Sequence, residues 1–186
     1  MQMLAVVIAA VAGFYLAMSI VLFGRRTPGY QHVRDTISEL GEIGAVHQRS
    51  VAYGVFLPVG LLALASAGLL YAASQAAAGL AACIAVGYIG AALFPCDPGS
   101  PVSGSARQGV HNLAGSIEYI GGGAAFLSLS HAQGDLYRLL GFVAIGAAVL
   151  ITVLPSTSFR GLVQRVAEVC LFGGLVAVAG TLYGGA

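Results

Sequence analysis

"MQMLAVVIAAVAGFYLAMSIVLFGRR", residues 1–26, decides what kind of chain this is. Its run from 2 to 23 contains no charged side chain, and about 20 mostly apolar residues are enough to cross a bilayer as a helix. Such a run at the start of a chain is either a secretory signal or a retained helix. A signal has basic residues before its apolar run and a small-residue cleavage site after it. Here no basic residue precedes the run, and Gly24-Arg25-Arg26 closes it. That order suits a retained first helix whose N-terminus is translocated.

The rest of the chain repeats the pattern. Further apolar runs cover roughly 48–72, 76–94, 109–130, 137–155 and 162–183. The chain is 58% hydrophobic and 8% charged, whereas roughly a quarter of residues in soluble domains are charged. Six spans with their connections fill the 186 residues and leave no room for a soluble domain. The sequence therefore predicts an all-α polytopic membrane protein: one domain over 1–186, a bundle of six transmembrane helices. Lysine is absent, and Arg25, Arg26, Arg34, Arg49, Arg107, Arg160 and Arg165 all lie in or beside connections 1–2, 3–4 and 5–6. Only Arg138 lies on the other side. The positive-inside rule then puts those three connections in the cytoplasm and both termini outside, in a multi-pass protein of the cell (inner) membrane. Cys83, Cys96 and Cys170 show neither CxxC nor zinc spacing and imply no redox role.

Against this apolar background, "HVRDTISELGE" (32–42) holds five ionisable side chains. On a helix, His32, Asp35, Glu39 and Glu42 fall within an arc of about 80°, with Val33, Ile37 and Leu40 on another face. This predicts an amphipathic helical segment before helix 2. Acids spaced i, i+4 on one face repel, so something cationic is expected to face them: arginines of neighbouring helices, a metal ion or a ligand.

Two further stretches carry charge on the same membrane side. In "RQGVHNLAGSIEYIGGG" (107–123), Arg107, His111 and Glu118 project within about 40° of one another, and Gly115 and Gly122 share that face. Glu118 lies midway along its span, where an ionisable group costs several kcal/mol (about 3 on insertion scales) unless it is paired, neutral or facing a wet cavity. Either it bonds a neighbouring helix, or the stripe lines a polar cavity that the glycines open. In "RGLVQRVAEVC" (160–170), Arg165 and Glu168 stand at i, i+3. They pair with each other, or Arg165 is the countercharge for Asp35, Glu39, Glu118 or an anionic headgroup. Between helices 3 and 4, "FPCDPGSP" (94–101) is a stiff turn. There Asp97 caps the turn or lies beside His111.

The motifs "DTISELG" (35–41), "FPCDPG" (94–99), "HNLAG" (111–115) and "GLVQR" (161–165), in this order through six apolar helices, resemble the bacterial and archaeal membrane family catalogued as domain of unknown function 998. "ISELG" is also distantly similar to the Frag1, DRAM and Sfk1 membrane proteins, whose eukaryotic members are tied to autophagy and lipid organisation. The resemblance implies six transmembrane helices and carries over no catalytic residues.

Three functions compete. The first is a membrane protein that binds or carries a lipid, amphiphile or small ion in a polar pocket at the cytoplasmic helix ends, lined by Asp35, Glu39, Arg107, His111, Glu118 and Arg165. It needs no cofactor, and its expected partners are membrane lipids and a small amphiphilic ligand, not nucleic acid. The second is an intramembrane lipid hydrolase or transferase in which Asp35, Glu39, Asp97 and His111 hold a divalent metal that activates water. No GxSxG, HExxH or HxxxH motif supports it, and the balance leans away from an enzyme. The third is a membrane scaffold whose polar groups serve assembly alone.

Overall fold

Inside a bilayer every backbone N–H and C=O has to be bonded within the protein, so long apolar stretches become helices. A computed structural model describes residues 2–156 and 158–184, and among them no strand occurs. The helices are α1 (Gln2–Arg26), α2 (Gln48–Leu70), α3 (Gln75–Leu93), α4 (106–133), α5 (Asp135–Val153) and α6 (Arg160–Gly184). All but α4 are helices long and apolar enough to cross a membrane by length and composition. The chain is the all-α membrane bundle that its hydropathy predicts. Its helix ends are set by local chemistry that hydropathy does not register. Ser74 and Ser105 accept hydrogen bonds from the N–H groups of Ala77 and Gln108, both at 3.2 Å, which starts α3 and α4 with side-chain caps. The α4 cap lies upstream of the polar Arg107 and Gln108, so α4 begins three residues before its apolar run does.

The helices form a ring. Each packs on its neighbours in sequence, α1 closes the ring against α6, and α3 meets α6 across the middle. Small residues let the helices approach: Ala5, Ala9 and Ala12 of α1 are fully buried, and Gly60 of α2 lies against the backbone of Ala85 and Ile89 in α3.

Two helices contain π segments, Ala52–Phe56 in α2 and Ile117–Gly121 in α4. The first has a visible cause. Pro58 has no N–H to give the carbonyl one turn earlier, and that carbonyl, on Gly54, accepts the Tyr15 hydroxyl of α1 instead. The irregularity is converted into a tie between helices.

Connection 27–47 departs from the sequence expectation. It is not an amphipathic α-helix but a series of turns, with only Ser38–Gly41 coiling as a 3₁₀ turn. Side chains take the N–H groups that an α-helix would use. The Asp35 carboxylate accepts from Gln31 N at 2.7 Å, Glu39 accepts from Thr36 N at 3.0 Å and its hydroxyl at 2.8 Å, and Gln164 Oε1 of α6 accepts from Ile37 N at 2.7 Å. Such local bonds compete with helix formation. The connection in turn completes α6. Gly161 N donates to Arg34 O at 3.1 Å and Leu162 N to Val33 O at 2.9 Å, satisfying N–H groups that a helix start leaves free.

Candidate functional site

All the long connections lie at one end of the ring, where 27–47 and 94–105 are laced together. Gly99 N donates to Glu42 at 2.7 Å, Ile43 N donates to Cys96 O at 3.0 Å, and the Cys96 thiol reaches Ser38 O at 3.5 Å. Burial pushes the Cys96 thiol up to about 12, so it stays a neutral thiol. Asp97 accepts from Ser105 N at 2.8 Å, from its hydroxyl at 2.9 Å and from Arg107 at 2.7 Å. His111 of α4 closes the set, with Nδ1 3.0 Å from Phe94 O and Nε2 3.3 Å from Ser38 Oγ. Since a carbonyl can only accept, Nδ1 carries the proton and Nε2 accepts from the serine.

The bonds from Ser105, first its N–H and then its hydroxyl, followed by Arg107, hold Asp97 below the ordinary value of 3.8. A depressed carboxyl pKa contributes stability above the unfolded value and loses it as pH falls through the folded one. Thermal unfolding followed below about pH 4 should therefore show a shallower acid loss for Asp97→Asn than for the wild type. Identical acid branches would show that the Asp97 carboxylate does not hold the connection.

The expected ring of charges does not form. Asp35 is not turned towards arginines of α4 or α6: both its oxygens are taken by the adjacent Arg34, one of them at 2.8 Å. Glu39 closes its own turn through Thr36, and Arg107 is spent on Asp97 and the Pro95 carbonyl. Arg165 does not pair with Glu168. It reaches back to the first connection, donating to Asp35 O (2.9 Å), Gly161 O (2.8 Å), the Tyr30 hydroxyl and Nδ1 of His32 (3.0 Å). Burial, then the charges of Arg165 and Arg25, lower the His32 pKa, in keeping with its role as acceptor. Asp35, Glu39, Asp97 and His111 are held by separate partners, and among the described residues no three His, Cys, Asp or Glu stand where they could hold a metal ion.

The structure gathers a different set. A cavity of about 430 Å³ lies between α4, α5 and α6 beneath the laced connections. Of the six residues expected in a pocket, His111 and Glu118 line it, joined by Asn112, Tyr119, Arg160 and Gln164. Arg160 is 5% exposed, and its guanidinium donates to the carbonyls of Ile151 (3.1 Å), Ser100 (2.8 Å) and Gly99 (3.4 Å). Glu118 is 6% exposed, and its Oε1 is without a hydrogen-bond partner. Its carboxyl packs so closely on Gly87 of α3 that a Cβ there would lie 2.5 Å from Cδ.

Behind Glu118 runs a buried polar chain. Gln164 Nε2 donates to the Tyr119 hydroxyl at 3.1 Å, and Tyr119 donates to Glu168 Oε1 at 2.6 Å. Glu168 also lines a second, largely apolar groove of about 590 Å³ between α1 and α6, with Arg165 and His32 at its polar end. Gln164 and Glu168 share one face of α6, a legible signal, but the i, i+3 spacing of Glu168 from Arg165 pointed to a self-contained ion pair. Tyr119 gave no signal of its own.

Compared with known proteins, the chain matches the model of the family described as Protein of unknown function (DUF998) over residues 8–181. No curated protein matches it, and no solved structure does.

Proposed function

We propose a function for this chain, a polytopic helical membrane protein that belongs to the DUF998 family, from the chemistry of its cavity: it binds a membrane amphiphile, with the polar head inside the cavity between α4, α5 and α6 and Glu118 as the anchor. The observation that carries this reading is Glu118 Oε1, buried and unpartnered on a side chain that lines the cavity. Buried polar atoms are rarely left so, and the exceptions call for an explanation. A volume of about 430 Å³ falls in the range of small-molecule pockets, roughly 300–1,000 Å³. Its lining is two-sided, polar at Ser38, His111, Asn112 and Glu118 and apolar at Val149 and Val153 of α5, as an amphiphile requires. A free carboxyl oxygen selects a head that donates a hydrogen bond, and a primary amine does so best. With seven of eight arginines at this end, the cavity belongs on the cytoplasmic side of the cell membrane.

The test uses two fluorescent lysophospholipids titrated into the full chain in nanodiscs, one with an ethanolamine head and one with a choline head. The quaternary ammonium of choline has no N–H to donate. Wild-type protein should bind the ethanolamine probe more tightly, and Glu118→Gln should weaken that probe about tenfold while leaving the choline probe unchanged. Equal affinities for both probes, or a Glu118→Gln variant that binds as the wild type does, would overturn the reading.

A further inference from the structure

Glu118 and Glu168 come from different helices, and neither carboxyl is fully bonded. Glu118 is 6% and Glu168 5% exposed, and Oε1 of the first and Oε2 of the second have no partner. The residue after Glu118, Tyr119, hydrogen-bonds Glu168 Oε1 at 2.6 Å, which brings the two side chains into one part of the core. They open in different directions: Glu118 onto the cavity between α4, α5 and α6, Glu168 onto the groove between α1 and α6. Tyr119 lines the cavity, and its hydroxyl donates a hydrogen bond to Glu168.

No basic group neutralises the pair. The titratable or charged groups around it are Cys83 and Tyr88 of α3, His111 and Tyr119 of α4, Arg160 and Arg165 of α6, and His32 of the first connection. Arg165, one turn before Glu168, is turned to the first connection, and Arg160 is held by three carbonyls. What α1 and α5 present to the two openings is apolar, apart from the Thr152 hydroxyl. Two uncompensated carboxylates in such an interior cost several kcal/mol (about 3 or more) each, and neighbouring like charges oppose each other's ionisation.

We infer that Glu118 and Glu168 form a proton-exchange site joining the cavity to the groove across the core of the bundle, the two carboxyls holding one proton between them. The exchange balances without any other reactant. One carboxyl passes its proton to the other and takes a replacement from its own opening, while the other releases the received proton into the opposite opening, so the pair returns to one negative charge. The inference goes beyond the proposed ligand, because it needs no amphiphile in the cavity.

Infrared spectra of the full chain in nanodiscs, followed through the carboxylic-acid C=O stretch as pH is raised, test it directly. Wild-type protein should show an acid band at neutral pH. In Glu118→Gln and in Glu168→Gln the remaining acid has lost its like-charged neighbour, so its band should vanish at a pH lower by about one unit or more. The double variant should lack the band. An unchanged midpoint in both single variants, or a band that survives the double substitution, overturns the inference. Should the variants fail to fold, dicyclohexylcarbodiimide on the wild-type chain replaces them, because it attaches to protonated carboxyls in apolar surroundings. Peptide mass spectrometry should then find one adduct per chain, divided between Glu118 and Glu168. No adduct at either position, or both on one chain, overturns the inference equally.

Discussion

Gly161→Ala should unseat the start of α6 and lower the stability of the bundle by about 3 kcal/mol, the upper end of ordinary overpacking. A methyl at this position would collide with the carbonyl oxygen of Asp35 and lie 2.7 Å from that of His32 and 2.8 Å from the Asp35 carbonyl carbon. Backbone atoms fill all three places, so no side chain can swing aside. Relief comes only by moving α6 away, and that breaks the bonds from Gly161 N to Arg34 O, from Leu162 N to Val33 O and from Arg165 to Asp35 O. For a chain of this size the thermal midpoint should fall by roughly 6–12 °C. Gly180→Ala, on the same helix with nothing within 4 Å of the added methyl, is the control. It should be neutral or slightly stabilising, since alanine favours a helix over glycine by about 1 kcal/mol. Equal midpoints for the two variants would show that the close backbone approach at Gly161 carries no weight.

Gln108→Leu is the second large effect, about 2–4 kcal/mol. Gln108 is fully buried, and its amide organises the whole of connection 94–105. The oxygen accepts from Asp97 N at 2.6 Å, and the nitrogen donates to Pro101 O at 2.7 Å and to Asn112 Oδ1 at 2.8 Å. Leucine fills a similar volume and satisfies none of these groups. Pro101 O keeps a weaker bond from Asn112 at 3.3 Å, so the cost falls on Asp97 N–H and Asn112 Oδ1. Freed from Gln108, the connection should also become the first point cut by protease in folded protein. A midpoint within 1 °C of the wild type would show that water satisfies these groups as well as Gln108 does.

The six spans were legible because a bilayer allows so few backbone arrangements. A 19-residue stretch such as Gln75–Leu93 has no alternative once it lies in lipid. The polar residues had alternatives. Helical phasing placed Asp35, Glu39 and Glu42 on one face, but it assumes that the backbone keeps its own N–H groups for itself. Asp35 and Glu39 instead take the N–H of Gln31 and Thr36, and the helix that would have aligned them never forms. Arg165 was equally open: Glu168 was near in sequence, whereas Tyr30, His32 and Asp35 were near only in space. Glu118 could be read directly, because an acid midway along an apolar span has few explanations. Its partner could not, because two incompletely bonded carboxyls 50 positions apart become a pair only when α4 and α6 are placed in one core.

The clasp between the first connection and the last helix also sets an order of events in time. The bond from Arg165 to Asp35 O spans 130 positions in sequence, and with the neighbouring bonds from Gly161 and Leu162 it joins the connection after α1 to α6. A ribosome adding about 5–20 residues per second needs roughly 6–26 s to cover that distance. Throughout the interval Val33, Arg34 and Asp35 have emerged, and the donors their carbonyls will bond have not been synthesised. The first connection waits longest of the three at this end to reach its final shape. Both openings onto the carboxyl pair are walled by α6, so neither exists until α6 is in the membrane.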